Sequence, residues 1–151
     1  MDVKLTNISN FLSSSLYGED DFVNNIIIDS RDVKKGDLFI AIKGDNFDGH
    51  DFIHDSIKKG ASAIICNKSA IKKCGNIPYI ISNDTVDALG IIANNLKKAM
   101  GQPFTIGITG TNGKTSVTKL TAEILKQSSS VSTTIGNYNN DIGLPLSIFK
   151  S

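Results

Sequence analysis

The sequence has 151 residues, 40% hydrophobic and 21% charged, the composition of a folded chain rather than a disordered one. Sixteen Lys and Arg against fifteen Asp and Glu leave a formal charge of +1, so no basic field attracts nucleic acid, and no apolar run reaches the roughly 18 residues of a membrane span. The first 14 residues lack the basic-then-apolar pattern of a secretory leader, so a cytoplasmic location without membrane insertion is expected.

Along the chain, the polar stretch after Ser13-Ser14-Ser15, over residues 17–21, reads as a loop. Ile26-Ile27-Ile28 predicts a short buried strand, and residues 38–42 a second one after the turn Lys35-Gly36-Asp37. Residues 51–59 predict a helix with Phe52, Ile53 and Ile57 inward and Gly60 past its end. Residues 63–66 and 79–81 predict two more strands. The clearest helix follows: Asn83 or Asp84 can cap it, Leu89, Ile92, Ala93, Leu96 and Met100 recur at helical spacing, and Gly101 and Pro103 stop it. A boundary therefore falls within residues 100–103. Beyond it the pattern predicts a strand over 104–108, a helix over 114–126 and a strand over 131–134.

Strands alternating with helices predict an α/β fold, with one domain over residues 1–101 and a second piece over 102–151. The second piece is too short for a nucleotide-binding sheet, which needs more strands to cover both faces. It reads as the incomplete opening of a domain. The two cysteines, Cys66 and Cys74, form no CxxC pair. Cys66 ends an apolar run and reads as a buried thiol, Cys74 sits among Lys and Gly, and neither a disulfide nor a metal role is expected.

The strongest chemical signal is residues 107–116, Gly-Ile-Thr-Gly-Thr-Asn-Gly-Lys-Thr-Ser, between a predicted strand and a predicted helix. Glycines let several backbone N–H groups converge on one anion, and a helix N-terminus adds partial positive charge. Gly110, Thr111, Asn112, Gly113, Lys114, Thr115 and Ser116 are thus candidate nucleotide-binding residues. Lys114 would reach the β- and γ-phosphates, and the Thr115 hydroxyl would ligate Mg²⁺. The strict phosphate-loop pattern places a glycine at 108, where this chain has Ile108. The competing reading is an ordinary Gly-rich turn.

Fifteen of the sixteen cations are Lys, and Ile (22) and Asn (14) are abundant, which reads as the coding bias of an AT-rich bacterial genome. Against that background the lone Arg31 stands out. It lies in Asp29-Ser30-Arg31-Asp32, upstream of Gly49-His50-Asp51. A guanidinium fork suits a phosphate, a pyrophosphate or a fixed carboxylate. The alternative is a surface pair with Asp29 or Asp32. His50 and His54 stand four apart, as in some metal sites, but no third ligand is evident.

The run from Asp29 to Ile53 closely resembles the N-terminal domain of the Mur ligases, and Gly-Thr-Asn-Gly-Lys-Thr resembles the ATP site of the same family. The resemblance spans residues 25–150. It implies a small N-terminal α/β domain that binds a UDP substrate, then the truncated start of a P-loop ATP-binding α/β domain. Ser30, Arg31, Gly49, His50 and Asp51 would belong to the uridine diphosphate site. The run Gly136-Asn137-Tyr138-Asn139-Asn140-Asp141-Ile142-Gly143-Leu144-Pro145 is similar to the signature of the branch that adds D-alanyl-D-alanine to UDP-N-acetylmuramoyl-tripeptide. Asn137, Asn139 and Asn140 would hydrogen-bond substrate without adding charge. On composition alone that run reads as a polar turn.

The resemblance implies an ATP-dependent amide ligase of peptidoglycan synthesis that works through an acyl phosphate, with Lys114 and Thr115 acting on the phosphates. Its partners would be the two small-molecule substrates, and the full-length enzyme would be a monomer. The family also uses a Glu, a His and often a carbamylated Lys in its central domain, and a third domain that closes over the site. None of these lies within the 151 residues, so the chain alone is expected to be inactive. Two alternatives stand beside this reading: the branch that adds the third, diamino acid residue, and a non-catalytic module that binds UDP-sugar or ATP.

Overall fold

The computed structural model describes residues 3–101, 103–134 and 140–150. The chain opens with β1 (Val3–Lys4), α1 (Leu5–Phe11), β2 (Leu16–Tyr17) and β3 (Phe22–Val23), elements too short to leave a periodic signal in the sequence. β2 falls partly inside the predicted loop. Next come β4 (Ile26–Ile27), β5 (Leu38–Ile40), a 3₁₀ turn (Gly49–Phe52), α2 (Ile53–Lys59) and β6 (Ala63–Cys66). A second 3₁₀ segment (Lys68–Lys73), β7 (Tyr79–Ile81) and α3 (Thr85–Ala99) complete this part of the chain.

Five strands form one sheet in the order β2-β7-β6-β5-β4. β4 to β7 run parallel, and β2 closes one edge antiparallel to β7, with Leu16 opposite Ile80. Side chains alternate across the pleat, so each inner strand feeds two cores. On one face Ile26, Leu38, Ile40, Ala63, Ile65 and Ile80 pack with Leu5 and Ile8 of α1 and with Leu89, Ile92 and Leu96 of α3. On the other, Phe39, Ala41, Ile64 and Cys66 pack with Ile53 of α2 and with Ala70 and Cys74. Burial on both faces explains why these strands read as unbroken apolar runs.

Local chemistry sets the helix ends. The Asp84 side chain caps α3 by accepting from the N–H groups of Val86 and Asp87 at 2.8 and 3.0 Å. Gly60 ends α2 at φ +105, and a Cβ there would meet the Lys35 Cα at 2.9 Å. Two expectations, those for Met100 and Phe52, need correction, and the two cysteines lie together in the second core. Cys74 is fully buried, 3.6 Å from the Cys66 sulfur, and both thiols are free. The Cys74 thiol, and then burial, push the Cys66 thiol up. Met100 lies past the end of α3 and is half exposed, and Phe52 is exposed rather than inward.

The second piece contains α4 (Lys114–Leu125) and α5 (Gly143–Phe149). The strands predicted over 104–108 and 131–134 do not form. A strand persists only when its N–H and C=O groups find a neighbouring strand, and none among the described residues lies beside these segments. Phe104 is accordingly 92% exposed and Ile106 is open, as are Val117, Leu120 and Ile124 of α4. Ala122 alone is buried in α4. α5 lies against α3, where Ile142 and Phe149 pack onto the first core.

This division predicts a contrast measurable by urea unfolding of the 151-residue chain. Ile65→Ala, in the sheet core, should cost about 2–5 kcal/mol. Leu120→Glu, on the open face of α4, should change stability by no more than about 0.5 kcal/mol. Comparable losses for both would contradict the division.

Candidate functional site

A cleft of about 540 Å³ opens beyond the carboxyl ends of β4 and β5. This is where open parallel sheets place their ligand sites. Ile28, Asp29, Ser30 and Arg31 line it from the end of β4, and Ile42, Gly44, Asp45, Asn46, Phe47, Gly49 and Phe52 from the segment after β5.

The segment after β5 is held by backbone bonds. The Gly49 N–H donates to the Ile42 carbonyl at 2.8 Å, Lys43 and Asp48 form an antiparallel bridge, and the Gly44 N–H donates to the Phe47 carbonyl at 2.9 Å. Close approach explains the glycine at 49: a Cβ there would lie 2.6 and 2.7 Å from the Ile42 oxygen and nitrogen.

Of the predicted uridine-site residues, Ser30, Arg31 and Gly49 line the cleft, whereas His50 and Asp51 are not among the lining residues. His50 is buried. Its ring Nδ1 lies 2.6 Å from Asp48 Oδ1, and its Nε2 accepts from the Asn67 N–H at 3.1 Å. Because Nε2 accepts, the proton sits on Nδ1 and donates to Asp48. His50 therefore ties the turn after β5 to the end of β6. Partial burial pushes the Asp48 carboxyl up, but hydrogen bonds from the His50 backbone and ring outweigh it and leave it below the ordinary range. Asp51 is exposed and pairs with Lys73 at 2.8 Å. His54 is exposed, and the described residues hold no group of three metal-ligating side chains.

Arg31 makes the surface pair that the sequence left open. Its Nε donates to Asp29 Oδ1 at 2.9 Å and its Nη2 to Oδ2 at 2.5 Å, while its backbone N–H also reaches Oδ1. These bonds, the side-chain ones first, hold the Asp29 carboxyl down at about 2. The Arg31 side chain is 85% exposed at the cleft. Lys59, at the end of α2, fixes the same turn from beneath by donating to the carbonyls of Ser30 and Arg31 at 2.9 and 3.2 Å.

The second candidate site is the loop entering α4. Gly113 precedes the helix at φ +79, a conformation that favours glycine, and no side chain caps the first turn. The amides of Lys114, Thr115 and Ser116 thus open the helix without a capping side chain. Lys114 is exposed and curls back onto its own loop, donating to the carbonyls of Gly110 and Thr111. Residues 110–116 are exposed throughout. At the third predicted element, Asn140 Oδ1 accepts from the Gly143 N–H at 2.7 Å and starts α5, which is turn chemistry. Asn137 and Asn139 lie outside the described residues.

Comparison with known proteins adds ancestry to this geometry. Residues 22–102 match the family model described as Mur ligase family, catalytic domain. The chain belongs to the Mur ligase family. Residues 108–151 match the Mur ligase middle domain. A UDP-N-acetylmuramoyl-tripeptide–D-alanyl-D-alanine ligase from Buchnera aphidicola (subspecies Acyrthosiphon pisum) is 40% identical over 99% of this chain and 32% of its own length. A UDP-N-acetylmuramoyl-L-alanyl-D-glutamate–2,6-diaminopimelate ligase from Clostridioides difficile is 49% identical over 68% of this chain and 21% of its own. Among solved structures, MurF from Acinetobacter baumannii superposes at a TM-score of 0.89 with 25% identity, covering 100% of this chain and 33% of that one. MurF from Thermotoga maritima in complex with ADP superposes at 0.70 with 35% identity, covering 84% and 29%. This Mur ligase chain spans about a third of the length of the curated D-alanyl-D-alanine ligases it matches.

The sequence reading missed Asp45, Asn46, Phe47, Phe52 and Lys59. An aromatic at 47, inside a polar turn between Asp45-Asn46 and Asp48-Gly49, was a visible signal for one of them. Lys59 could be found only from tertiary contact.

Two measurements test the cleft. Gly49→Ala should lower stability by about 1–3 kcal/mol, because the new methyl cannot avoid the Ile42 backbone. Thermal unfolding indistinguishable from the parent would refute that. Arg31→Ala should raise the Asp29 midpoint from about 2 toward its ordinary 3.8, read by side-chain carboxyl NMR. A depressed carboxyl stabilises the fold above its ordinary range and loses that contribution as pH falls through its folded value. Parent and variant should therefore differ above about pH 4 and converge near pH 2, by a small margin given the exposure of the pair.

Proposed function

We propose that this chain is the uridine-nucleotide-binding part, joined to the start of the ATP-binding part, of a ligase that adds D-alanyl-D-alanine to UDP-N-acetylmuramoyl-tripeptide, with the division at residues 101/102. One observation carries the reading: a cleft at the carboxyl ends of parallel strands and an uncapped Gly-rich helix entry occur in one chain, in the order of relatives matched over 99% of its length. Ser30, Arg31 and Gly49 would contact the nucleotide diphosphate. His50 and Asp51 would act from behind, by holding the turn that carries Gly49. Asn137, Asn139 and Asn140 would place the muramoyl-peptide end.

In the reaction a substrate carboxylate oxygen attacks the γ-phosphorus of ATP, ADP leaves, and an acyl phosphate forms. The D-alanyl-D-alanine amine then attacks the acyl carbon, and phosphate departs as the nitrogen loses its proton. The amides at residues 110–116 would bind the triphosphate, and Lys114 would exchange its two loop carbonyls for β- and γ-phosphate oxygens. Thr115 sits in the first turn of α4, where its hydroxyl would ligate Mg²⁺ beside the phosphates. Bound Mg²⁺ supplies neutralisation of phosphate charge. The full-length protein would be a cytoplasmic bacterial monomer that binds neither nucleic acid nor membrane.

The diaminopimelate-adding reaction is the second reading, favoured by the higher identity to the Clostridioides difficile protein over a shorter span. The full-length gene product should release ADP with UDP-N-acetylmuramoyl-tripeptide plus D-alanyl-D-alanine. It should not do so with the dipeptide precursor plus diaminopimelate, and the reverse preference would select the second reading. Lys114→Ala should lower that ADP release by at least about 10²-fold. Residues 1–151 alone should release none.

A further inference from the structure

Four aromatic rings among residues 3–101 are exposed, and Phe52 is the least open of them at 37%. Tyr17 stacks on Tyr79, with centroids 5.0 Å apart and planes 9° from parallel. Phe22 lies under the Lys4 ammonium at 5.3 Å. Phe47 is 75% exposed, the most open large apolar side chain among the described residues of 3–101, and neither a ring nor a cation pairs with it. It also lines the cleft.

An open phenyl ring on a loose loop would say little, but this turn is fixed. The Gly49-to-Ile42 bond, the Lys43–Asp48 bridge and the Gly44-to-Phe47 bond form successive rungs leading out from β5. The Phe47 carbonyl is itself the acceptor of the last rung. Beneath the turn, His50 anchors Asp48 and the end of β6. The sequence thus builds a short, braced arm and ends it in an aromatic ring that no other part of the described chain covers. The braced backbone leaves only the ring's own rotation to be lost when a flat apolar partner covers it.

The surroundings define that partner. Ile28, Ile42 and Phe52 make the cleft largely apolar, while Ser30, Asn46 and Asp29 offer hydrogen-bonding groups, and Arg31 is the single cation among the lining residues. An aliphatic ligand would leave the polar groups unused, and a fully charged one would meet too much hydrocarbon. A planar heteroaromatic ring with polar edges, attached to an anionic tail, uses both kinds of surface.

We propose that Phe47 is the platform on which the pyrimidine base of the nucleotide substrate stacks, so that the turn over residues 43–48 selects for the base rather than for the phosphates. This rests on the uridine-nucleotide reading of the cleft.

The sequence contains no tryptophan, so Phe47→Trp gives a single tryptophan at the arm's tip, which can be excited apart from the three tyrosines. With residues 1–151, UDP should quench the tryptophan emission, and inorganic pyrophosphate should not. Phe47→Ala should weaken UDP binding by calorimetry about tenfold or more, leave any pyrophosphate binding unchanged, and keep the parent's thermal midpoint, because the ring is exposed. Phe47→Trp should retain UDP affinity. UDP binding to Phe47→Ala at parental strength, or unquenched emission at saturating UDP, would overturn the platform while leaving the uridine reading intact. Equal weakening toward UDP and pyrophosphate would also overturn it, since the ring would then shape the cleft without reading the base. A parent chain that binds no UDP would reject the uridine reading, and the platform with it.

Discussion

Pairing of β5 between β4 and β6 is the constraint from which the rest follows. This strand is covered above and below, so Leu38 and Ile40 serve one core while Phe39 serves the other. A slip of one residue would exchange the two sets and leave both cores misfilled. The same register fixes where the strand ends, and therefore where Ile42 presents the oxygen and nitrogen that crowd Gly49. The cleft is thus a consequence of sheet register: its floor and its turn are the continuation of β4 and β5 past their last ladder bonds.

The two halves of the chain show opposite solutions to the burial of apolar surface. The first half covers both faces of its sheet with helices and short 3₁₀ segments, and even its two thiols are enclosed. In the second half, α4 keeps an amphipathic pattern, yet Val117, Leu120 and Ile124 stay largely exposed. Helix formation survives this because its hydrogen bonds are local. Strand formation does not, since each strand needs a neighbour to bond with.

That difference also decides what the sequence made legible. The strands at 26–27, 38–40, 63–66 and 79–81 announced themselves through apolar runs, the first two reading one and two residues too long, and α3 announced itself through its spacing and cap. β1, β2 and β3 each hold two residues, too few for any period, and only their partners define them. Residues 104–108 had a strand's composition and lacked a strand's neighbour. The motif around Arg31 and Gly49 falls at the cleft, but the contacts its residues make depend on the fold. His50 turned out to bond to Asn67, seventeen positions away, and Lys59 to carbonyls nearly thirty positions back. The place of Cys74 in the second core was hidden for the same reason, by its polar sequence neighbours.

The seat of α5 on α3 has a topological effect on everything between them. Ile142 and Phe149 join the core that Leu89 and Ile92 build, so the chain leaves that core after α3 and returns to it at Ile142. The intervening segment, with the Gly-rich loop and α4, is a tethered arc rather than a free tail. Its two anchor points restrict how far the phosphate-loop candidate can wander from the sheet. The entropic cost of closing such an arc grows only as about (3/2)RT times the logarithm of its length, a cost that the burial of Ile142 and Phe149 offsets.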